Sequence, residues 1–444
     1  MLALLAFHLL WSACALIFLT RRHRTPASAA VWSAIVLLLP AAGTLLYILA
    51  GYRRPAPPRR EPPFRGDALG RIIAQGCNTR PTPRNRIDLL HNGSNAFSAL
   101  IATLQRATRS IHMEYYIFRD DRIGRTIADI LIRKSRAGVE VRIIYDAVGS
   151  WRLPRPMLRR MHRAGIRTAA YAPIRFPWFT PRAARRNHRK IVVADGKVAY
   201  LGGINIAAYY LDGDDMGKWR DEHLRMEGDA VADLQRLFLD DWAAACGERL
   251  DPALHTCAHA IRQPLSVQIA WAEEGTSRTT LAEAFAAAIV RAHRRVRLCS
   301  PYFMPPTLIL DALRLAVSCG VRVEAMIPSC SDSLLTDLAA DSYVEDLLAA
   351  GVELYRYDNG FLHAKVLIVD DFLVSIGTAN MDYRSLMDNL EVTAFIRDRE
   401  TARRMAATFD ADRASCTRVE PQTWRPAPWR RTTGDLLRLL APLL

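Results

Sequence analysis

The chain has 444 residues, half of them hydrophobic and 8% aromatic, enough to build two sizeable cores and leave a tail, which excludes a single small domain. Lys and Arg number 60 against 45 Asp and Glu, a net charge of +15 with a pI near 9.8, so the partner is anionic, either nucleic acid or acidic lipid. The cysteines at 14, 77, 246, 257, 299, 319, 330 and 416 include no CxxC pair and suggest free thiols in a reducing compartment.

Met1 to Thr20 carries no charge apart from neutral His8, and Ala29 to Tyr52 is a second apolar run with Trp32, Tyr47 and Tyr52 near its ends. At about 1.5 Å per residue each is long enough to cross a bilayer. Aromatic ends suit the interface, and Pro40 with Gly43 is tolerable inside a membrane helix. Residues 1–54 therefore read as a transmembrane helical hairpin with Arg21 to Arg24 as its connector. A rival reading makes the first run a signal peptide with Cys14 as a lipidation site, but it lacks a basic start. Arg53, Arg54, Arg59, Arg60 and Arg65 outnumber the connector arginines, placing the remainder on the cytoplasmic face. Residues 55–85, rich in Pro and Arg at their start, read as a linker lying over anionic headgroups.

Two halves follow, 86–255 and 256–444, and they align with each other. Ser110 to Phe118 matches Arg295 to Phe303, Ala137 to Ile144 matches Cys319 to Met326, and Arg163 to Ile166 matches Ala349 to Val352. Helix, glycine, strand, repeated, is the rhythm of an α/β sheet. Between Gly165 and His188 run 23 positions, against 12 between Gly351 and His363; the excess holds Phe176 to Phe179, either an aromatic wedge for a lipid surface or a packed loop. Asp212 to Asp215 reads as a turn rather than a cation site. His255, Cys257 and His259 lie in the connector between halves and read as a surface segment rather than a metal cluster. Leu436 to Leu444 reads as a docking helix or a membrane contact.

One string occurs in both halves: His188, Lys190 and Asp195 in HRKIVVAD, and His363, Lys365 and Asp370 in HAKVLIVD. Each is followed at the same offset by a turn ending in asparagine, Asn205 and Asn380. Only five of the 60 basic residues are lysine, at 134, 190, 197, 218 and 365, and two of them stand two places after a histidine. Lysine is a compact point charge and arginine a flat fork, so the choice is chemical. Histidine and lysine two apart on a strand share a face. Each half thus offers one imidazole, one ammonium and one asparagine to a common site. A neutral imidazole can attack and an imidazolium can protonate, while lysine and amide donors stabilise charge on phosphate oxygens. Phosphodiester chemistry follows, with no metal and no cofactor required.

At these motifs the chain resembles the phospholipase D superfamily, whose signature is HxKxxxxD followed by GSxN or a variant. The resemblance implies two similar α/β sandwich domains packed around one shared active site, one histidine attacking phosphorus and the other protonating the leaving alcohol, with His188 favoured as nucleophile. It implies phosphate binding by Lys190, Lys365, Asn205 and Asn380. It also implies a carboxylate that orients each histidine: Glu391, eleven places past Asn380, and Asp221, sixteen past Asn205. Asp195 and Asp370, though part of the signature, more plausibly lock the turn behind the strand. The N-terminal hairpin, the linker, Trp219 to His223, and Asp382 with Tyr383, Arg384 and Ser385 make the chain similar to the membrane-anchored cardiolipin synthases of bacteria, although Gly203 and Thr378 replace the common serine. That resemblance implies a phosphatidyltransferase of the inner membrane that joins two phosphatidylglycerols through a phosphohistidine, with anionic phospholipid as partner and no nucleic acid. The alternative is a membrane-bound phospholipase D, phosphodiesterase or nuclease using water as acceptor.

Overall fold

The computed structural model describes residues 10–14, 17, 26–47, 66–173, 185–272 and 279–439. In the first half, β1 (Asn85–His91), β2 (Ser110–Tyr115), β3 (Glu140–Asp146), β4 (Arg167–Tyr171), β5 (Lys190–Ala194), β6 (Val198–Gly202) and β8 (Glu222–Gly228) form a sheet ordered β1-β8-β6-β5-β2-β3-β4; β7 (Trp219–Arg220) stands apart from it. The second half comprises β9 (Ser266–Trp271), β10 (Arg295–Cys299), β11 (Phe303–Met304), β12 (Arg322–Pro328), β13 (Glu353–Tyr357), β14 (Phe361–Leu362), β15 (Val366–Val369), β16 (Leu373–Gly377), β17 (Met381–Asp382), β18 (Val392–Arg397) and β19 (Cys416–Val419). Its sheet runs β19-β13-β12-β10-β15-β16-β18-β9. Read from the other edge, and setting β19 aside, this is the order of the first sheet strand for strand. The aligned segments fall on β2 with β10 and on β3 with β12, and these pairs are parallel in both halves.

Alternation along β5 shows how the two sheets meet. Ile191 and Val193 join a core that also holds Ile269, Ile376, Ala394 and Ile396 of the second half, whereas Val192 and Ala194 face the helices of the first. Each such side chain contributes about 1.5–3 kcal/mol on burial, so this shared apolar layer is what docks the halves.

Residues 66–85, read from sequence within the linker, carry structure. Asp67 caps the helix Ala68–Cys77, accepting from the Gly70 N–H at 2.8 Å. Leu69, Ile73 and Cys77 of that helix enter the shared core, and the Thr79 hydroxyl donates to the Ile269 carbonyl at 2.8 Å. The chain is therefore stitched to β9, at the far edge of the second sheet, before the first sheet begins.

Of the expected hairpin the structure describes residues 10–14, 17 and 26–47; residues 48–65 and the Phe176 to Phe179 insertion lie outside the described residues. Within them the second apolar run is two helices, Pro26–Leu38 and Pro40–Leu46. Pro40 has no N–H to continue the first helix and opens the second. No helix among the described residues is long and apolar enough to cross a membrane. The runs do meet: the Trp11 indole donates to the Thr44 hydroxyl at 3.0 Å.

Leu436 to Leu439 belong to the helix Pro428–Leu439, which docks on the helix Leu334–Ala349 through Arg430 to Asp341, Arg431 to Glu345 and Arg438 to Asp346. Leu436 to Leu439 thus take the docking alternative, and residues 440–444 lie outside the described residues.

Asp195 and Asp370 sit in left-handed backbone, φ 56° and 51°. The Asp195 carboxylate accepts from the N–H groups of Thr108, Arg109 and Ser110 at 2.9, 2.7 and 3.0 Å, and Asp370 from His293, Arg294 and Arg295 at 3.0, 2.9 and 2.9 Å. Partial burial pushes both carboxyls up, but the backbone donors outweigh it and hold them below the usual range. Asp195→Ala and Asp370→Ala should each cost about 1–3 kcal/mol, while Asn, which tolerates left-handed backbone and keeps an acceptor, retains most of it. Because the folded pKa is depressed, this contribution is full at neutral pH and is lost as pH falls below about 4. Thermal unfolding in detergent from pH 7 to pH 3 measures both effects; an unchanged Tm in the alanine variants contradicts the turn-locking role.

Candidate active site

The two histidines are placed by backbone pairing between halves. β14, just before His363, runs parallel to β7 of the first half, and the His363 N–H donates to the Arg220 carbonyl at 2.7 Å. In the mirrored place Asn187 bridges Leu390, and the His188 N–H donates to the Leu390 carbonyl at 3.0 Å. The residue after each accepting carbonyl is a carboxylate, Asp221 in one case and Glu391 in the other. Asp221 Oδ2 lies 2.6 Å from His363 Nδ1, and the Glu391 oxygens lie 2.9 and 3.1 Å from His188 Nδ1. Each carboxylate therefore holds the imidazole of the opposite half. Nδ1 bound in this way leaves Nε2 for the cavity.

That cavity has a volume of about 240 Å³ and is lined by His188, His363, Asn205 and Asn380, with Tyr116, Tyr209, Tyr302 and Trp219 as aromatic walls and Arg186, Arg384 and Asp332 among the charged groups. All the sequence-nominated groups except Asp195 and Asp370 gather here. The lysines lie beneath the histidines, fully buried: Lys190 Nζ donates to the His188 carbonyl at 2.7 Å, and Lys365 Nζ contacts the His363 carbonyl and lies 2.9 Å from its Nδ1. Asn205 is fixed at both ends, accepting from the Ile117 N–H at 3.1 Å and donating to the Tyr210 hydroxyl at 3.0 Å.

The two halves differ at one point. Thr378 donates its hydroxyl to Glu391. A Cβ on Gly203, the matching residue, would stand 2.2 Å from Asp221 Oδ1, so the shorter carboxylate occupies the space that the threonine side chain fills in the other half. The missing serine is thus a matched exchange.

Concentrating charge out of water shifts these groups. Burial, then Lys190 and Lys365, hold His188 well below its usual 6.5. Burial and Lys365 bring His363 to about 4, against the pull of Asp221. Burial, joined by repulsion from Lys365, lowers Lys190 to about 7, and burial lowers Lys365 to about 8, with Asp221 and Glu391 opposing at both. Burial raises Glu391 to about 8, whereas at Asp221 burial is outweighed by Lys365 and His363 and the carboxyl stays below its usual range. Asp221 is thus a firm anion that partly offsets the lowering at His363, and both imidazoles are neutral in the free protein at pH 7.

Several supporting residues escaped the sequence reading. Arg189, between His188 and Lys190, points to the other face and is 1% exposed; it pairs with Asp241 and donates to the Ala272 carbonyl of the second half at 2.7 Å. Asp146 accepts the Asn187 N–H at 2.9 Å, and the Asn187 amide bonds buried Glu114. An arginine and an acid inside otherwise apolar strands were the available signal.

Of the connector string, His255 approaches His112 and Glu140, the donor atoms lying within 4.8 Å of one another, while His259 bonds Asp229 instead at 2.7 Å. Glu140 is already paired with Arg142, and His112 Nδ1 with Gln235 at 2.9 Å, so the trio is a satisfied polar network. Asp214 closes a turn with Gly217, and Asp212 pairs with Arg122 at 2.7 Å.

Comparison with known proteins places these features. Residues 100–242 and 285–413 match the family described as cardiolipin synthase, PLD-like domain. Cardiolipin synthase 2 of Bacillus anthracis is 40% identical over 359 residues, covering 80% of this chain and 70% of that one. Cardiolipin synthase of Geobacillus kaustophilus is 34% identical over 471 residues, covering 97% and 92%. Among solved structures, phosphatidylserine synthase of Haemophilus influenzae shares the fold with a TM-score of 0.64 at 15% identity, covering 85% of this chain and all of that one.

Asp221→Asn and Glu391→Gln should each lower kcat by about 10²–10⁴-fold with KM little changed, because the imidazoles lose orientation and tautomer but the cavity stays. The same electrostatics fix a pH profile. With the imidazole pKa values lowered, activity persists as pH drops from 7.5 to about 6; loss of the ammonium protons makes kcat/KM fall above about pH 7–8. An acid limb centred on 6.5, or a flat profile to pH 10, contradicts this account.

Proposed function

This chain belongs to the cardiolipin synthase family with its phospholipase D-like fold, and on that premise we propose that its paired histidines move a phosphatidyl group from one phosphatidylglycerol to another, giving cardiolipin and glycerol. The observation that carries the reading is the reciprocal anchoring of His188 by Glu391 and His363 by Asp221 over one cavity.

His188, with its side chain 13% exposed against 7% for His363, is the more open to the cavity, and burial together with the two ammonium groups keeps it neutral. Its Nε2 attacks phosphorus while the bond to glycerol oxygen breaks, and His363, protonated in the substrate complex where the negative charge of the phosphodiester joins that of Asp221, gives that oxygen its proton. Neutral His363 then takes the proton from the terminal hydroxyl of the second phosphatidylglycerol, whose oxygen attacks phosphorus as the phosphorus–nitrogen bond breaks. His363 ends as imidazolium, stabilised by Asp221, so protons and bonds balance over the cycle. Lys190 and Lys365, with Asn205 and Asn380, donate to the oxygens on which charge develops. One phosphodiester is exchanged for another, and no nucleotide is consumed.

A membrane setting is part of the proposal. Its support is the two apolar N-terminal runs, the exposed leucines 37, 38 and 39 within the second, and the arginines that follow, whose charge favours the cytoplasmic face for the two sheets.

Purified protein incubated with phosphatidylglycerol vesicles and no nucleotide should yield cardiolipin and glycerol. Phosphatidate as the sole lipid product would instead show a hydrolase. His188→Ala and His363→Ala should each reduce transfer by at least about 10³-fold, since the residues act as a unit. Substantial transfer by either single variant sinks the shared site.

A further inference from the structure

The helices that follow β3 and β12 occupy matching places in the two halves, and they differ in charge and in cover. The helix Leu334–Ala349 carries Asp337, Asp341, Glu345 and Asp346, and the arginines of the helix Pro428–Leu439 lie on it. Its counterpart, Arg155–Arg163, reads RPMLRRMHR; Met157 and Met161 point into the core, and Arg155, Arg159 and Arg163 are exposed. Arg160 pairs with Asp129, but Arg155, Arg159 and Arg163 have no carboxylate partner among the described residues.

The loop before this helix bears Trp151, 71% exposed, with the Arg152 guanidinium 4.8 Å from its ring centroid. A tryptophan that large is rarely left open on a folded surface without a partner. The same loop is fastened to a wall of the active-site cavity: the Ser150 hydroxyl donates to the carbonyl of Tyr116, a wall residue, at 2.9 Å and accepts from the Phe118 N–H at 3.0 Å. Across the mouth, Tyr302 donates to Asp332 at 2.6 Å, and the loop carrying Asp332 ends in Leu334 and Leu335, 66% and 53% exposed. Unpaired cations beside an exposed indole match an anionic interface, where arginines meet headgroup phosphates and tryptophan sits at the depth of the carbonyls.

We propose that Trp151, Arg152, Arg155, Arg159 and Arg163 form a docking surface for an anionic bilayer, which sets the mouth of the cavity against the membrane and feeds it lipid. The proposal rests on the reading above that the substrates are membrane phospholipids. The N-terminal runs hold the chain near the bilayer, and this patch turns the catalytic cleft toward it.

The test uses the full chain. In the His188→Ala protein, reconstituted into vesicles of phosphatidylglycerol and phosphatidylcholine, amide exchange over residues 147–163 should slow relative to vesicles of phosphatidylcholine alone. The triple variant Trp151→Ala, Arg155→Glu, Arg159→Glu, in the active chain, should raise KM for phosphatidylglycerol in vesicles on the order of tenfold with kcat held. On short-chain phosphatidylglycerol dispersed as monomers it should match the parent. Equal exchange in both vesicle types, an unchanged KM on vesicles, the same loss on monomers, or protection by duplex DNA in place of vesicles each overturns the proposal. If the parent makes no cardiolipin from either substrate, the functional reading fails, and the exchange measurement still decides the docking surface.

Discussion

Everything at the centre of this molecule depends on the crossed imidazole–carboxylate pairs, His188 with Glu391 and His363 with Asp221. Neither half contains a complete catalytic unit. A histidine whose Nδ1 had no acceptor would rotate and exchange tautomers, and both acceptors are contributed from across the interface. The duplication is therefore obligatory, and the apolar layer shared by the two sheets has a chemical consequence: by docking the halves it aligns the rings. The backbone bonds of His188 to Leu390 and His363 to Arg220 set the register that brings Glu391 and Asp221 against the rings.

Burying two lysines and two carboxylates in one small cavity is unfavourable unless each charge is answered. Here the ammonium groups answer the carboxylates, but burial outweighs that attraction, which is why Lys190 and Lys365 fall to about 7 and 8. This accounts for the choice of lysine in a chain that otherwise uses arginine. A guanidinium stays charged whatever surrounds it, whereas an ammonium yields its proton in an empty site and holds it more firmly once a phosphodiester arrives. The cavity is thus most stable with an anion in it, and more so as negative charge builds on the phosphate oxygens, the condition for acceleration rather than mere binding.

The duplicated strand order was legible in the sequence, because the glycine before β3 and β12 and the matching apolar segments of β2 and β10 are local patterns that survive in each copy. The motif residues were legible for the same reason. What could not be read was crossing: the spacing from Asn205 to Asp221 or from Asn380 to Glu391 says that an acid follows the turn, but not which half's histidine it meets. Arg189 was hidden by its setting, the basic run Arg185 to Lys190 ahead of apolar β5, where composition does not tell which interior each side chain enters. The helix Ala68–Cys77 was hidden by its position directly after a proline-rich run, although Asp67 is an ordinary cap for it.

Composition alone overstated what the positive charge signifies. Much of the arginine is consumed inside the fold: Arg295, Arg322 and Arg413 surround the buried carboxylate of Glu324, Arg220 joins Glu222 and Asp412, and Arg430, Arg431 and Arg438 fasten one helix to another. Those charges are neutralised where they stand and exert little field on a partner beyond about 10 Å. Among the described residues, the arginines between 152 and 163 that lack a carboxylate partner are few, but they lie together, beside an open tryptophan, on a loop and helix fastened to the cavity wall. A chain with the same net charge and these residues paired would show the same pI and lack any reason to turn that face toward an anionic surface. Local pairing, not the total, decides where a basic protein meets its partner.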